Sequence, residues 1–301
     1  MCTPNFFLVG APRCGTTAMF RWLRRHPHVF LPALKECHYL ATDFGRFRSV
    51  QTEEQYRRLF CEVRDEHVAV GEASVMYLYS SVAIENILDR YPQATILVAL
   101  RNPLELVYSW HGQLLVTMQE DQADFEEAWL RQADRIEGRS LPPHCTVPQA
   151  LHYSQMGRLG TQVQRLLNKC DRRQVHFVIY DDLVRDVRAT YEQLLQALGV
   201  APAGAVSLEV VNQNRAIPSA VLRKLWFRSP AVVGARRRMR SVCGDRIYER
   251  VRDALMPRLI PARARPPLSP RLRQMLTDEF REDVCRLSDL LHRDFRHWLA
   301  A

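Results

Sequence analysis

The chain has 301 residues, 47% of them hydrophobic and 25% charged, and a net charge of +9. This composition is globular, with length enough to bury a core, and it excludes low-complexity, fibrous and repeat architectures. No run reaches the roughly 18 apolar residues of a membrane span, and "MCTPNFFLVG" lacks the basic start and long apolar run of a secretory leader.

Taken in chain order, "FFLVG" (6–10) reads as a buried strand ending at glycine. "TTAMFRWLRRHP" (16–27) follows with helical spacing, Met19, Phe20 and Leu23 on one side, and Pro27 stops it. "VAVGEAS" (68–74) is a second strand and "AIENILDRYP" (83–92) an amphipathic helix. "ATILVALR" (94–101) is apolar and β-branched almost throughout, the pattern of a strand buried on both faces. "PLELVYSWHGQLL" opens a helix with Pro103 at its first position. "ALHYSQMGRLGTQVQRLLNKC" (150–170) reads as helix and "VHFVIY" (175–180) as strand. "DDLVRDVRATYEQLLQALGV" (181–200) reads as one helix with Gly199 at its end. Beyond residue 200 the strand signal fades. A Pro-rich stretch (259–270) leads to a long amphipathic helix capped by Ser269 before Pro270. Strands alternating with helices predict an α/β fold, a parallel sheet with helices on both faces and a helical C-terminal extension.

Gly10 and Gly15 in "LVGAPRCGTT" have the spacing of a phosphate-binding loop, G-x-x-x-x-G-K-[ST], between a strand and a helix. The lysine is absent, and Thr16 stands in its place. Thr16 and Thr17 still offer hydroxyls, and the loop N–H groups still cradle an oxyanion. The cation is instead Arg13, at the loop apex, where it can stabilise a leaving 5′-phosphate. No strand ends in an aspartate suited to magnesium, so the loop points to a nucleotide whose chemistry needs no metal. In "LRNPLELVYS" (100–109), Arg101 ends a buried strand and Ser109 lies inside the next helix. An arginine and a hydroxyl so placed can converge on one phosphate.

Together, "GAPRCGTT", "KECHYL" (35–40) and "RNPLELVYS" resemble the PAPS-dependent sulfotransferase family, PAPS being 3′-phosphoadenosine 5′-phosphosulfate. "GEASVMYL" (71–78), "VIYDDLVRD" (178–186) and "PPLSPRLRQMLTDEFREDVCRLSDLL" (266–291) extend the resemblance over nearly the whole chain. It implies a single domain over 1–301, with a sheet core about 5–200 and a helical, basic part about 201–301. It implies PAPS as donor, adenosine 3′,5′-bisphosphate (PAP) as product, and no metal. Arg13, Cys14, Gly15, Thr16 and Thr17 would form the 5′-phosphosulfate loop. Arg101 and Ser109 would bind the 3′-phosphate. Tyr180 is a candidate for the adenine side, and Arg215 for a phosphate. Arg13 stands where many members carry lysine, and it cannot donate a proton. Glu36 matches the family's base in its glycan-modifying branch, where it would deprotonate the acceptor hydroxyl or amine. His38 would orient Glu36 or serve as the base itself, and Lys35 would steady the sulfonate. Ala73 and Val75 depart from the lysine and proline frequent in glycan sulfotransferases.

Between Arg215 and Arg273 there are 16 arginines and lysines against three acids. The stretch suits an anionic or membrane-associated acceptor, or solvated helix faces. Two other functions stay open from sequence. One is a P-loop phosphotransferase, which would need the missing lysine and magnesium ligands. The other is a non-catalytic protein binding anions or nucleic acid through 215–273, although no nucleic-acid partner is expected. The eight cysteines form no C-x-x-C pair and read as free thiols in a reducing compartment, hence a cytoplasmic protein. The acceptor and the oligomeric state are not written in the sequence.

Overall fold

The computed structural model describes residues 3–203 and 266–300, with a few isolated positions between them. Arg215 and most of the basic stretch 215–273 lie outside the described residues. Two compact units emerge. The first runs to Leu106, resumes at Ser154 and takes in the C-terminal residues from Met275. The second holds Val107–Tyr153 and, among the described residues, 266–274.

The strands are β1 (Phe6–Gly10), β2 (Val29–Phe30), β3 (Ala69–Ala73), β4 (Thr95–Leu100) and β5 (Val175–Ile179). All belong to the first unit and pair in parallel in the order β2-β3-β1-β4-β5. Leu8 is level with Ala73 on one side and Leu97 on the other, and Leu100 is level with Ile179. Phe6, Phe7, Val9 and Ile96 to Leu100 are wholly buried, as a parallel strand covered on both faces requires.

The helices are α1 (Thr16–Arg25), α2 (Glu53–Arg58), α3 (Ala83–Arg90), α4 (Pro103–Val116), α5 (Phe125–Leu130), α6 (Gln132–Ile136), α7 (Tyr153–Gly157), α8 (Leu159–Leu167), α9 (Tyr180–Arg185), α10 (Val187–Ala197) and α11 (Pro270–Leu291). The expected α/β architecture, with its helical C-terminal part, is present. α1 is amphipathic and buries Met19, Phe20, Trp22 and Leu23. No helix among the described residues is long and apolar enough to cross a membrane.

Two stretches expected as single helices are broken. Asp186 takes an extended backbone, and its carboxylate accepts the Ala189 N–H at 2.9 Å, ending α9 and capping α10. Residues 150–170 divide around Arg158, and α8 begins where Asp283 of α11 accepts the N–H groups of Gly160 and Thr161 at 2.6 and 2.8 Å. Ser269 caps α11 as expected, accepting the Leu272 N–H at 3.1 Å.

The C-terminal turn of the first unit is tied to the sheet. Trp298 donates its indole N–H to Asp181 at 2.7 Å, and its carbonyl accepts from Asn102 at 3.0 Å. Within the second unit, Arg135 makes a two-pronged ion pair with Glu120 at 2.6 and 2.7 Å, and the Tyr153 hydroxyl donates to the same carboxylate. Both charged side chains of that pair are 0% exposed.

Candidate active site at the carboxyl edge of the sheet

Parallel strands present their carboxyl ends on one edge, and here β3, β1, β4 and β5 stand side by side. The chain runs outward from β1 in one direction first and returns to build the other side from β4. The crevice at such a reversal is where open α/β sheets bind ligands.

The loop after β1 opens with Gly10 at φ 146°, where a Cβ would come within 2.6 Å of the Val75 carbonyl oxygen. It closes with Gly15 at φ 83°, where a Cβ would meet Leu183 at 2.9 Å. Only glycine enters both positions without strain. Arg13, between them, holds φ 66°. Gly15 caps α1 with backbone alone, and the first turn carries no acidic side chain. The positive end of the α1 dipole is therefore not neutralised by its own helix. Thr16 is buried and Thr17 exposed. Cys14 is buried and donates to the Pro12 carbonyl at 3.4 Å. Burial pushes its thiol up to about 12 against the pull of Arg101 and Arg13. It is no thiolate, and hence no nucleophile.

Arg101, at the end of β4, reaches this loop. One of its N–H groups donates to the Arg13 carbonyl at 3.1 Å. Its guanidinium lies 4.2 Å from the centre of the Tyr180 ring, which the β4–β5 register brings alongside. Glu105, one helical turn on, accepts the Arg101 Nε–H at 2.9 Å. The side chain is 16% exposed, so stacking and ion pairing hold it at the edge of the crevice.

Lys35, Glu36 and His38 gather beside β3. The Glu36 N–H donates to the Ala73 carbonyl at 2.8 Å, which fixes it at the end of β3, where Ala73 is level with Leu8 of β1. Glu36 has φ 67° and His38 φ 53°. The Lys35 ammonium is hydrogen-bonded to one Glu36 oxygen, and His38 Nε2 lies 3.7 Å from the other. Burial would raise the Glu36 pKa, but Lys35 and His38 outweigh it and hold the carboxyl well below its usual range. The Glu36 side chain is 38% exposed, whereas His38 is buried, stacked 4.8 Å from Phe47 and edge-on to Tyr77. His38 Nδ1 is buried without a partner among the described residues.

This edge thus brings together the Arg101 guanidinium, the Arg13 loop and a helix N-terminus, with the ionised Glu36 carboxylate beside the neighbouring strand β3. A family model for the sulfotransferase domain matches residues 3–216. The chain belongs to the sulfotransferase family. It is similar over its whole length to a solved sulfotransferase from Alicyclobacillus acidocaldarius, with 27% identity, 99% of each chain covered and a TM-score of 0.72. Human carbohydrate sulfotransferase 15 is 23% identical over 250 residues, 67% of this chain and 44% of that one. The membrane-associated sulfotransferase kil1 of Dictyostelium discoideum is 25% identical over 107 residues, 35% of this chain and 22% of that one. The chain therefore spans less than half the length of the curated relatives it matches.

In this member of the sulfotransferase family, Arg13, Cys14, Gly15, Thr16, Arg101 and Tyr180 of the expected site residues come together around one loop. Lys35, Glu36 and His38 form a second group on the neighbouring strand end. Ser109 is buried on α4, in the second unit. Arg215 lies outside the described residues. Sequence reading missed Glu105, Phe47 and a buried group beneath the Glu36 loop, Glu72, Ser74 and Tyr77. One signal was available: a glutamate in the middle of "VAVGEAS", a strand otherwise apolar.

Proposed function

We propose that this sulfotransferase moves a sulfonate group from PAPS to a hydroxyl or amine acceptor by in-line displacement. The observation that carries the reading is the meeting of Arg101 with the Arg13 loop at an N-terminus of α1 free of acidic side chains. Such a loop would suit phosphate groups without the P-loop lysine, which supports PAPS as the donor. The phosphosulfate would lie along the loop, with Arg13 against the 5′-phosphate and Arg101 against the 3′-phosphate. For Ser109 the support is its motif alone. The acceptor oxygen or nitrogen attacks sulfur and its proton passes to Glu36. The sulfur–oxygen bond to the 5′-phosphate breaks, and PAP leaves with the electron pair on that oxygen. Arg13 and the loop N–H groups stabilise the charge that develops there.

Glu36 is the better base of the two candidates. Its carboxylate reaches solvent, while the His38 ring is walled in by Phe47 and Tyr77 and turns Nε2 toward Glu36. His38 is then an orienting group. A saccharide hydroxyl is the acceptor class favoured by the name of the human relative. The six described cysteines are all free, which supports a reducing, cytoplasmic setting.

The decisive experiment is titration calorimetry with PAP, with magnesium ATP as control, on the wild type and on Arg101→Ala. Micromolar PAP binding, independent of magnesium and lost in the variant, is expected. A preference for magnesium ATP would instead revive the phosphotransferase reading.

A further inference from the structure

Glu36 and His38 both hold left-handed backbone, at φ 67° and 53°. Histidine tolerates it better than most residues, glutamate does not, and two such positions so close together persist only where their surroundings impose them. What imposes them here lies beneath the loop. The His38 N–H donates to Ser74 Oγ at 3.0 Å, and the Leu40 N–H donates to the Tyr77 hydroxyl at 3.1 Å. Each of these hydroxyls has one proton to give, and both give it to the same group. Ser74 donates to one oxygen of Glu72, and Tyr77 donates to the other at 2.9 Å. Glu72 is 1% exposed, on β3 between β2 and β1. Tyr56, on α2, also donates to this carboxylate at 3.2 Å, but its hydroxyl accepts no loop amide among the described residues.

We infer that Glu72 is a positioning residue for the catalytic loop: its carboxylate fixes the protons of Ser74 and Tyr77, and their lone pairs grip the backbone on either side of Tyr39. The inference rests on the reading of Glu36 as base. While ionised, Glu72 only accepts, so both hydroxyl protons then point down to it and away from the loop amides; burial raises its pKa, and the hydrogen bonds from Ser74, Cys37 and Tyr77 oppose that rise. An amide at position 72 has one accepting oxygen and one donating nitrogen. One hydroxyl then loses its acceptor, and its own proton competes with the loop N–H it should receive. The grip slackens, and Glu36 drifts from the place where the acceptor proton must be taken. A misplacement of about 1 Å can cost on the order of 100-fold in rate.

The test compares Glu72→Gln, Ser74→Ala, Tyr77→Phe and Tyr56→Phe in the full chain. Three readouts are taken: amide hydrogen exchange at residues 36–40, PAP affinity by calorimetry, and PAP release from PAPS in water, which needs no identified acceptor. Glu72→Gln should exchange about 10-fold faster at His38 or Leu40, the loss of one hydrogen bond. Its PAP release should fall about 10- to 100-fold with PAP affinity unchanged. Ser74→Ala should loosen His38 and Tyr77→Phe should loosen Leu40. Tyr56→Phe, which removes a hydroxyl from the same carboxylate but holds no loop amide, should match wild type. Unchanged exchange in Glu72→Gln, or equal damage in Tyr56→Phe, overturns the inference and makes the group ordinary core. If Glu72→Gln does not fold, the two single-arm variants carry the test. Faster exchange with undiminished PAP release would uphold the positioning and remove Glu36 as base. Failure of the wild type to bind PAP would sink the donor reading, while the exchange data would still judge Glu72.

Discussion

As the proposed base, Glu36 would have to be both ionised and basic, and Lys35 sets the balance between the two. The ammonium beside it keeps the carboxylate charged, and the same contact makes it a poor proton acceptor. Under the proposed mechanism, a sulfonate that drew Lys35 toward itself would return basicity to Glu36. The pH dependence follows with a definite sign. A base works in its deprotonated form, and a lowered pKa moves the loss of activity to lower pH. The acid limb of kcat/KM should lie below the ordinary glutamate range, about pH 4.3. In Lys35→Ala it should move to higher pH, whatever happens to the absolute rate. Initial rates of PAP release across pH would check both statements. A limb that stays put in Lys35→Ala would separate Glu36 from the chemistry. Glu105 poses the converse case. Its exposed carboxylate pairs with Arg101 and competes with any phosphate for it. Glu105→Gln should tighten PAP about two- to fivefold, the scale of an exposed pair of up to about 1 kcal/mol, as calorimetry would show.

Between residue and fold lie the elements, and here the long-range caps decide what local sequence does not. The strands at 6–10, 69–73 and 95–100 were legible because burial on both faces leaves a mostly apolar run behind, and 175–179, an edge strand partly exposed at His176 and Phe177, through its β-branched and aromatic residues. The breaks in the two long helices were not, and for different reasons. Asp186 is a local cap hidden inside a helical pattern. Asp283, which starts α8, comes from 123 residues further along the chain. Asp283→Ala should lower stability by about 0.5–2 kcal/mol through loss of that cap, read as a fall in Tm, with PAP affinity unchanged. The two-residue β2 and the short α2 were missed because too few residues repeat to show a period.

At the scale of the molecule, the candidate site was half legible. The glycines, Arg13 and Arg101 announce themselves because each motif is local. Tyr180 becomes a neighbour of Arg101 only through the β4–β5 register, and Glu72 becomes part of the Glu36 loop only through β3. Stability has its own centre in the second unit. Burial would raise the Glu120 pKa, but Arg135 and Tyr153 outweigh it and hold the carboxyl low. Its stabilisation is complete above the unfolded value, about 4.3, and drains away as pH falls through the lower folded one. Glu120→Ala strips the buried Arg135 of its two-pronged partner, leaving it Asp121 at 3.8 Å and the Ser140 carbonyl at 3.4 Å, and should cost up to about 3–5 kcal/mol at neutral pH. Calorimetric scans should also show a shallower acid-side fall in Tm than in wild type.

Trp298 has a consequence for how the enzyme comes into being. It ties down Asn102 and Asp181, the residues next to Arg101 and Tyr180, from 196 and 117 positions downstream. All five strands leave the ribosome well before it. A nascent chain can therefore assemble its sheet and its β1 loop while the arginine–tyrosine side of the crevice still lacks its last brace. If the crevice holds the proposed nucleotide, that competence comes late in synthesis, after every strand of the sheet has been made.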